Sequence, residues 1–560
     1  MLAQPLECCR TMLLNKIQQS VIGDRVAINT AFGVKPLVYA DYTASGRSLG
    51  LIEDIIRHKV LPYYANTHTE TSFSGAVTSE LRRQSKDQVR RFLGVPDGYS
   101  VIFCGYGATA ATNKAIDLLG LRGAQQTAER PVVFIGPYEH HSNELPWREC
   151  NVDLVVISLN DDGALNLQEL EQQLQAFEGR KVKVGSFSAA SNVTGVITDT
   201  DAVTSLLHNY GALSLWDYAA AAPYLAVNCA GVKDFKTNTR KDAVFLSPHK
   251  FLGGPETPGI LVIRNDVVQA KVPTTPGGGT VTYVTSADHK YHRDIERREE
   301  PGTPSIIGAI RAGLVFKLYQ EVNALKQEGE VEGGQDEAGF INQAITKWSQ
   351  NPNINILGNT SKPRLPIISF QVKYQDKELH YGFVAAVLND VFGIQARGGC
   401  SCAGPYAHHL LGIDLAHARQ IEAAVVNGSS IIRPGWVRVN LCHFMDQSTV
   451  DYIVEAVELI AEHAWRILPF YAYDEQAGRW CFQGKKKATQ SWFESLSFSD
   501  DMGDNSVENA SINTNLEDYL AVGKAELTAS NMNLTRQQVT LTAQAESLRW
   551  FVLPQEVVLG

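Results

Sequence analysis

The sequence predicts an α/β protein: a large domain with a mostly parallel sheet, a smaller α+β domain and a C-terminal extension. Three observations predict it. Short apolar runs at residues 101–104, 132–135, 152–157, 183–189, 212–217, 243–246 and 259–264 alternate with stretches of helical spacing, the order of β–α–β units. Many of these runs end in glycines, hydroxyls, histidines or charged groups, and in such sheets ligands lie beyond the carboxyl ends of the strands. An acidic, Gly-rich stretch at 328–337 reads as a hinge, and strand and helix signals resume from Ile354. The boundaries so read are 36–330 for the large domain, 1–35 with 331–470 for the small one, and 471–560 for the extension, with a disordered linker near 495–517.

At 560 residues the chain exceeds one compact core. Its net charge of -10 gives no general case for nucleic acid or an anionic membrane as partner, so an anionic cofactor must be held by local donors. The nine cysteines are scattered, with close pairs at Cys8–Cys9 and Cys400–Cys402, which is no disulfide framework and fits a reducing compartment. Residues 1–20 carry Glu7, Arg10 and Lys16 without the apolar core of a signal peptide, and no uncharged apolar run approaches membrane-spanning length. The expectation is a soluble, cytoplasmic protein.

Taken in order, residues 1–35 read as a helix and a turn, 37–39 as a short strand, 52–61 as a helix stopped near Pro62, and 77–93 as a helix stopped by Gly94 and Pro96. The strand 101–104 runs into Gly105-Tyr106-Gly107-Ala108-Thr109-Ala110, with a helix at 111–119. Free amide N–H groups and the helix dipole make such a turn a ready anion site. No Lys follows the glycines and the spacing is not that of a dinucleotide motif, so it is neither a P-loop nor a Rossmann turn. Further on, 293–300 is dense in charge and reads as a solvated face, and 305–322 as a helix with Pro304 in its first turn. Residues 367–372, 381–392 and 394–397 supply strand, helix and strand signals for the smaller domain. Trp436 to Asn440 reads as a strand with Arg438 among apolar neighbours; such an Arg needs an anion, either a ligand carboxylate or a structural salt-bridge partner. Residues 534–553 suit one helix or a short strand pair and carry no legible chemical motif.

Two successive strands carry the chemistry. The run 243–246 ends in Ser247-Pro248-His249-Lys250 and breaks at Gly253-Gly254. A lysine at the mouth of a buried strand either begins a surface loop or forms a Schiff base with an aldehyde cofactor such as pyridoxal phosphate (PLP). The run 212–217 ends in Asp217, followed by Tyr218 and four alanines from Ala219 to Ala222. PLP needs a carboxylate at its pyridine nitrogen, and small neighbours let a flat ring lie close to the backbone. An Asp at a strand end is also an ordinary helix cap. An acid-ended strand before a Lys-ended strand is nevertheless the order such a site requires.

With these residues in place, the sequence resembles the class V, fold-type I PLP enzymes, and most closely the cysteine desulfurase group. The resemblance is carried by Asp217-Tyr218-Ala219-Ala220, Ser247-Pro248-His249-Lys250, Glu139-His140-His141-Ser142-Asn143, Arg397-Gly398-Gly399-Cys400-Ser401-Cys402 and Gly302-Thr303-Pro304, in the family's order over residues 38–445. It implies that Lys250 bonds PLP and moves the substrate proton, that Asp217 meets the ring nitrogen, and that Ala219 and His249 border the ring. The phosphate falls to the turn at Ala108 and Thr109, to Ser247, and to Thr303 across a dimer interface, which implies a homodimer. The family usually has two hydroxyls where this chain has Ala108 and Thr109, so more of the load falls on Thr109, Ser247 and backbone N–H groups. His140 stacks on the ring; two adjacent histidines also suggest a metal, but no further ligands sit at zinc-like spacing.

For the substrate, the resemblance implies the Ala44 backbone within Asp41–Gly46, Asn192, and Arg438 at the carboxylate, with the segment Asn66-Thr67-His68 reaching the site. Cys402 falls on the nucleophile position, and Arg397 offers positive charge that favours a thiolate. Cys400 is a resolving thiol, a second sulfur carrier or a small filler. A metal site from Cys400, Cys402, His408 and His409 is disfavoured, because Cys-x-Cys is not the usual zinc spacing. The implied reaction converts L-cysteine to L-alanine and leaves sulfur as a persulfide on Cys402, for a protein sulfur acceptor. Alternatives within the class are an aminotransferase, an epimerase or a selenocysteine lyase. Molybdenum-cofactor sulfurases share the chemistry, but the tail is too short and polar for their second domain. A PLP-binding scaffold acting through its C-terminal tail is the alternative from another class, and the set Lys250, Asp217 and Arg438 argues against it.

Overall fold

A computed structural model describes residues 12–67, 69–122, 129–234, 237–327, 337–483, 493, 515–529 and 534–558. His68, the hinge at 328–336 and residues 495–514 of the linker lie outside the described residues. The chain divides into two compact units. The first comprises Met1–Ile22, Tyr42–Gly333 and Ser361–Leu365, the second Gly23–Asp41, Gly334–Thr360 and Pro366–Gly560.

The first unit is organised on a seven-stranded sheet. Its order is Tyr99–Cys104, Gly259–Arg264, Ala243–Leu246, Leu213–Asp217, Lys183–Ser188, Val132–Ile135 and Asp153–Val156. The five strands from Ala243–Leu246 to Asp153–Val156 pair in parallel, and Gly259–Arg264 runs antiparallel to both its neighbours. Val132–Ile135 and Ala243–Leu246 are buried at every position. Unbroken apolar runs of this kind belong to strands covered on both faces. Burial of Val244, Phe245 and Leu246 contributes about 1.5–3 kcal/mol each. Two of the helices that follow the strands start on side-chain caps, where Asn166 and Asp199 accept from the Glu169 and Ala202 N–H groups.

Several expectations for this unit need correction. The helix expected from residue 111 begins at Gly107 and runs to Leu118, which brings Ala108 and Thr109 into its first turn. The 52–61 helix starts as Gly50–Ile55, widens over Ile56–Val60 and tightens at Leu61–Tyr63, where Pro62 ends it. The charged stretch 293–300 is not a solvated face. Its helix, Ile295–Glu299, buries Arg298 and Glu299, and Glu296 and Glu300 pair with Arg82, Lys86 and Arg90 of the helix Phe73–Phe92. Burial alone would raise the Glu300 carboxyl, but Lys86 and Arg82 hold it below its ordinary value.

The second unit has an antiparallel sheet ordered Ile354–Ile356, Ile367–Tyr374, Trp436–Asn440 and Arg397–Gly399, with Lys377–Leu379 also paired to Ile367–Tyr374. Its helices include Tyr381–Phe392, Leu415–Val426 and Gln447–His463. Where a turn was expected before residue 35, Ala27–Thr30 and Gly33–Pro36 form a hairpin closed by the Thr30 hydroxyl on the Gly33 carbonyl. Leu516–Thr528 is a helix capped by Asn515, so the last residues of the expected linker are ordered. Residues 534–553 form neither one helix nor a strand pair: only Ala543–Ser547 is helical. Phe551, Val552, Leu553 and Val557 are nevertheless buried. This tail is docked by side chains and an isolated backbone bridge of Phe551 to Glu378, which periodicity does not announce.

Candidate active site

The first unit holds the lysine half. Asp217 ends one strand and Ser247, His249 and Lys250 follow the next; the two strands are parallel neighbours, with Asp217 opposite Phe245. Asp217 is 5% exposed and accepts the Ala219 N–H at 2.7 Å. Burial pushes its carboxyl up, against the pull of that N–H and of the Lys250 charge. Burial and the charge of Lys250 push His249 down to about 4, so its ring is neutral at pH 7. Three turns converge on this pair. Gly46 N–H donates to the His249 carbonyl at 2.8 Å, bringing the Ala44 loop beside Lys250. Ala108 N–H donates to Ser247 Oγ at 2.8 Å, which ties the helix start to the lysine turn. Gly107 has φ +56, and a Cβ there would meet Ser247 Oγ at 2.8 Å, so the turn needs glycine twice over.

His140 joins through hydroxyls. Its Nδ1 accepts from the Ser142 N–H at 3.1 Å and lies 3.0 Å from Ser142 Oγ, which in turn lies 2.6 Å from Thr109 Oγ1. An Nδ1 that accepts a backbone proton leaves the proton of a neutral ring on Nε2. Asn192 is buried in the turn after Lys183–Ser188, and the N–H of Ala189, the first residue after that strand, donates to the Asp217 carbonyl. Thr303 is exposed, and its hydroxyl accepts from the Asn66 amide at 3.1 Å; the two segments linked to the site by resemblance thus meet each other.

Two residues of this half carried no role in the sequence reading. Ser142 bridges His140 and Thr109. Glu139, 1% exposed, accepts from Ser188 N and Oγ, Asn143 Nδ2 and the Gly136 N–H, fastening the His140 turn to the neighbouring strand. Burial pushes Glu139 up to about 8 against those donors. The sequence shows an acid and an amide one helical turn apart, Glu139 and Asn143, and nothing more of this role.

The second unit holds the cysteine half. Arg397 and Arg438 are directly opposed across antiparallel strands. Like charges so placed repel unless anions neutralise them. Asp41 supplies one, accepting from Arg438 Nη2 at 2.9 Å. Burial lowers the Arg438 pKa, Asp41 opposes this, Arg397 lowers it further, and Cys402 lies within electrostatic reach. The strand Arg397–Gly399 leads straight into the cysteine turn, where Ser401 and Cys402 have φ +55 and +57. Cys400 and Cys402 are both half-buried free thiols. Among the described residues no cluster of three or more His, Cys, Asp and Glu side chains is disposed to hold a metal, and no helix is long and apolar enough to cross a membrane.

Comparison with known proteins gives the context. A protein of Halalkalibacterium halodurans named "Probable cysteine desulfurase" is 25% identical over 375 residues, 66% of this chain and 85% of that one. The "Cysteine desulfurase" of Synechococcus elongatus is 26% identical over 381 residues, 66% of this chain and 55% of its own. The apo cysteine desulfurase structure from Thermococcus onnurineus NA1 superposes with a TM-score of 0.61 at 24% identity, covering 76% of this chain and 95% of that one. The Escherichia coli cysteine desulfurase CsdA gives 0.59 at 18%, covering 76% and 94%. These structures share the fold-type I architecture expected from the sequence. The family pattern "Aminotransferase class-V" matches residues 38–453, a span that contains both the lysine and the cysteine sets, and the chain belongs to that family.

Proposed function

We propose that the chain is a PLP-dependent cysteine desulfurase that converts L-cysteine to L-alanine and keeps the sulfur as a persulfide on Cys402. One observation carries the choice within the family: the cysteine turn directly follows a strand whose Arg397 opposes the buried Arg438. That arrangement joins a nucleophile to a carboxylate-binding guanidinium on one sheet.

The residues of the first unit fit PLP. A glycine-only turn at the start of a helix offers a close backbone approach for a phosphate, and a buried acid ends the strand beside the lysine-bearing turn. Lys250 would hold the cofactor covalently, Asp217 its ring nitrogen, and Thr109, Ser247 and the first-turn N–H groups its phosphate, with His140, His249 and Ala219 bordering the ring. When bound, PLP supplies an electron sink for the substrate's α-carbon. Lys250 moves the α-proton. Arg438 would hold the α-carboxylate, with Asp41 fixing the guanidinium in place; in the first unit Asn192 and the Ala44 backbone are the candidates for the substrate. The Cys402 thiolate attacks the substrate sulfur; an S–S bond forms, the C–S bond breaks, and the carbon keeps the electron pair and is protonated to alanine.

A homodimer is part of the proposal, supported by the exposure of Thr303 beside Asn66. So are cytoplasmic location and a protein sulfur acceptor. The test is L-cysteine turnover by the PLP-loaded protein, following alanine and sulfide, with Cys402→Ser beside it. Alanine formation lost in Cys402→Ser supports the proposal. A loaded protein that turns over no cysteine refutes it and leaves another amino acid as substrate.

A further inference from the structure

The C-terminal tail lies beyond residues 38–453, the span of the family match, yet its aromatic residues pack on the start of the helix Tyr381–Phe392, which lies against the strand leading into the cysteine turn. Trp550 stacks on Tyr381 with ring centroids 6.0 Å apart and planes 13° from parallel, and on His380 at 5.4 Å and 20°. Its indole N–H donates to the Ile432 carbonyl at 3.1 Å. Phe551, fully buried, meets the His380 ring edge-on, and Val552 N–H donates to the Glu378 carbonyl.

Tyr381 in turn lies against two glycines. A Cβ on Gly398 would stand 3.0 Å from its ring, and one on Gly435 2.8 Å from it. Gly398 is two residues before Cys400 on the strand Arg397–Gly399, and Gly435 directly precedes the strand that carries Arg438. The Tyr381 ring therefore fills a slot that only glycines leave open, where the two strands of the cysteine half meet. Cys400 lies within electrostatic reach of the Tyr381 hydroxyl.

His380 fixes this arrangement from the other side. It caps the helix Tyr381–Phe392 by accepting the Gly382 N–H at Nδ1, takes the Trp480 indole N–H on the same atom, and donates from Nε2 to the Ile431 carbonyl. Burial pushes its pKa down to about 3, so these contacts are made by a neutral ring.

We propose that the C-terminal segment is a positioning element for the Cys402 turn: Trp550 presses Tyr381 into the Gly398–Gly435 slot and so sets the strand that presents the nucleophile. The inference rests on the reading of Cys402 as that nucleophile. Neither Trp550 nor Tyr381 is assigned contact with substrate or cofactor.

The test uses the full-length, PLP-loaded chain with Trp550→Ala and Trp550→Phe. The rate of Cys402 alkylation by iodoacetamide is followed by peptide mass spectrometry, beside kcat and KM for L-cysteine. A loosened turn exposes Cys402, so Trp550→Ala speeds its alkylation about threefold or more. It also lowers kcat about tenfold with little change in KM or PLP absorbance. Trp550→Phe, which keeps a flat ring, restores most of both. Should Trp550→Ala fail to fold, Trp550→Leu retains apolar volume without the stacking face and carries the same comparison. Unchanged Cys402 alkylation in the folded variant overturns the inference, whatever the turnover. Faster alkylation in a protein that turns over no cysteine upholds the positioning and refutes the desulfurase reading instead.

Discussion

The two units hold their candidate reactive groups by opposite means. Lys250 follows a strand buried at every position, and its neighbours are fastened by short hydrogen bonds: Asp217 to Ala219, Ser247 to Ala108, and the Ala44 loop to the His249 carbonyl. Cys402 instead sits in a turn after Gly398 and Gly399, where both it and Ser401 adopt left-handed backbone. Such a conformation costs a residue with a side chain about 1–3 kcal/mol. Under the proposed function, a group that must stay in register with a planar ring is built on strand ends, and a thiol that must reach an atom and then hand it on is built on a short, strained turn.

The sharpest way to break this contrast is to remove each reactive group separately. Lys250→Ala should lower turnover about 10³-fold or more, since it removes both covalent attachment and proton transfer. It should also abolish the Schiff-base absorbance, whereas Cys402→Ser should retain that absorbance. Loss of PLP binding in both variants would contradict the division of labour. Next in size, Arg438→Lys keeps the charge but loses the fork, and should raise KM for L-cysteine about 10–100-fold. Steady-state kinetics that find kcat lowered and KM untouched would remove Arg438 from the carboxylate.

A smaller effect concerns the scaffold of the lysine half. Burial raises Glu139 from the ordinary 4.5 to about 8, so between those values the folded chain keeps a proton that the unfolded chain releases. Its stabilising contribution is complete below pH 4.5 and is lost as pH rises through 8. Thermal melts of wild type and Glu139→Gln should show the wild type's relative stability falling over that window. A relative stability that grows with pH would mean that Glu139 is folded as a carboxylate. The smallest expected change is in Ser401→Gly, which relieves the left-handed turn at the expense of chain entropy. Stability should shift by no more than about 1 kcal/mol, while kcat falls a few-fold as the thiol becomes less fixed. An unchanged kcat would show that strain in the turn has no part in presenting Cys402.

Much of the lysine half was legible because its signals are local. A buried run ending in Ser247 to Lys250, and another ending in Asp217, announce themselves through hydrophobicity and the residue at the mouth. Helix starts were less so: Gly107 and Ala108 suit turn and helix alike, and only contact with Ser247 decides in favour of a first helical turn. The burial of 293–300 was invisible because its partners, Arg82, Lys86 and Arg90, lie on another helix far away in the chain. The tail was illegible for a related reason. Trp550 and Phe551 dock through a few aromatic contacts to His380 and Tyr381, which have no period. Glu139 stood within a motif that was read for its histidine, and its acceptor role appears only once Ser188 is beside it.

The account turns on sulfur reaching Cys402. Peptide mass spectrometry of the PLP-loaded chain, mixed briefly with L-cysteine and trapped with an alkylating reagent, tests this directly. The account predicts one added sulfur atom on the peptide bearing Cys402, absent without L-cysteine and absent in Lys250→Ala. Alanine formation with no sulfur on that peptide, or with sulfur on Cys400 alone, would contradict it.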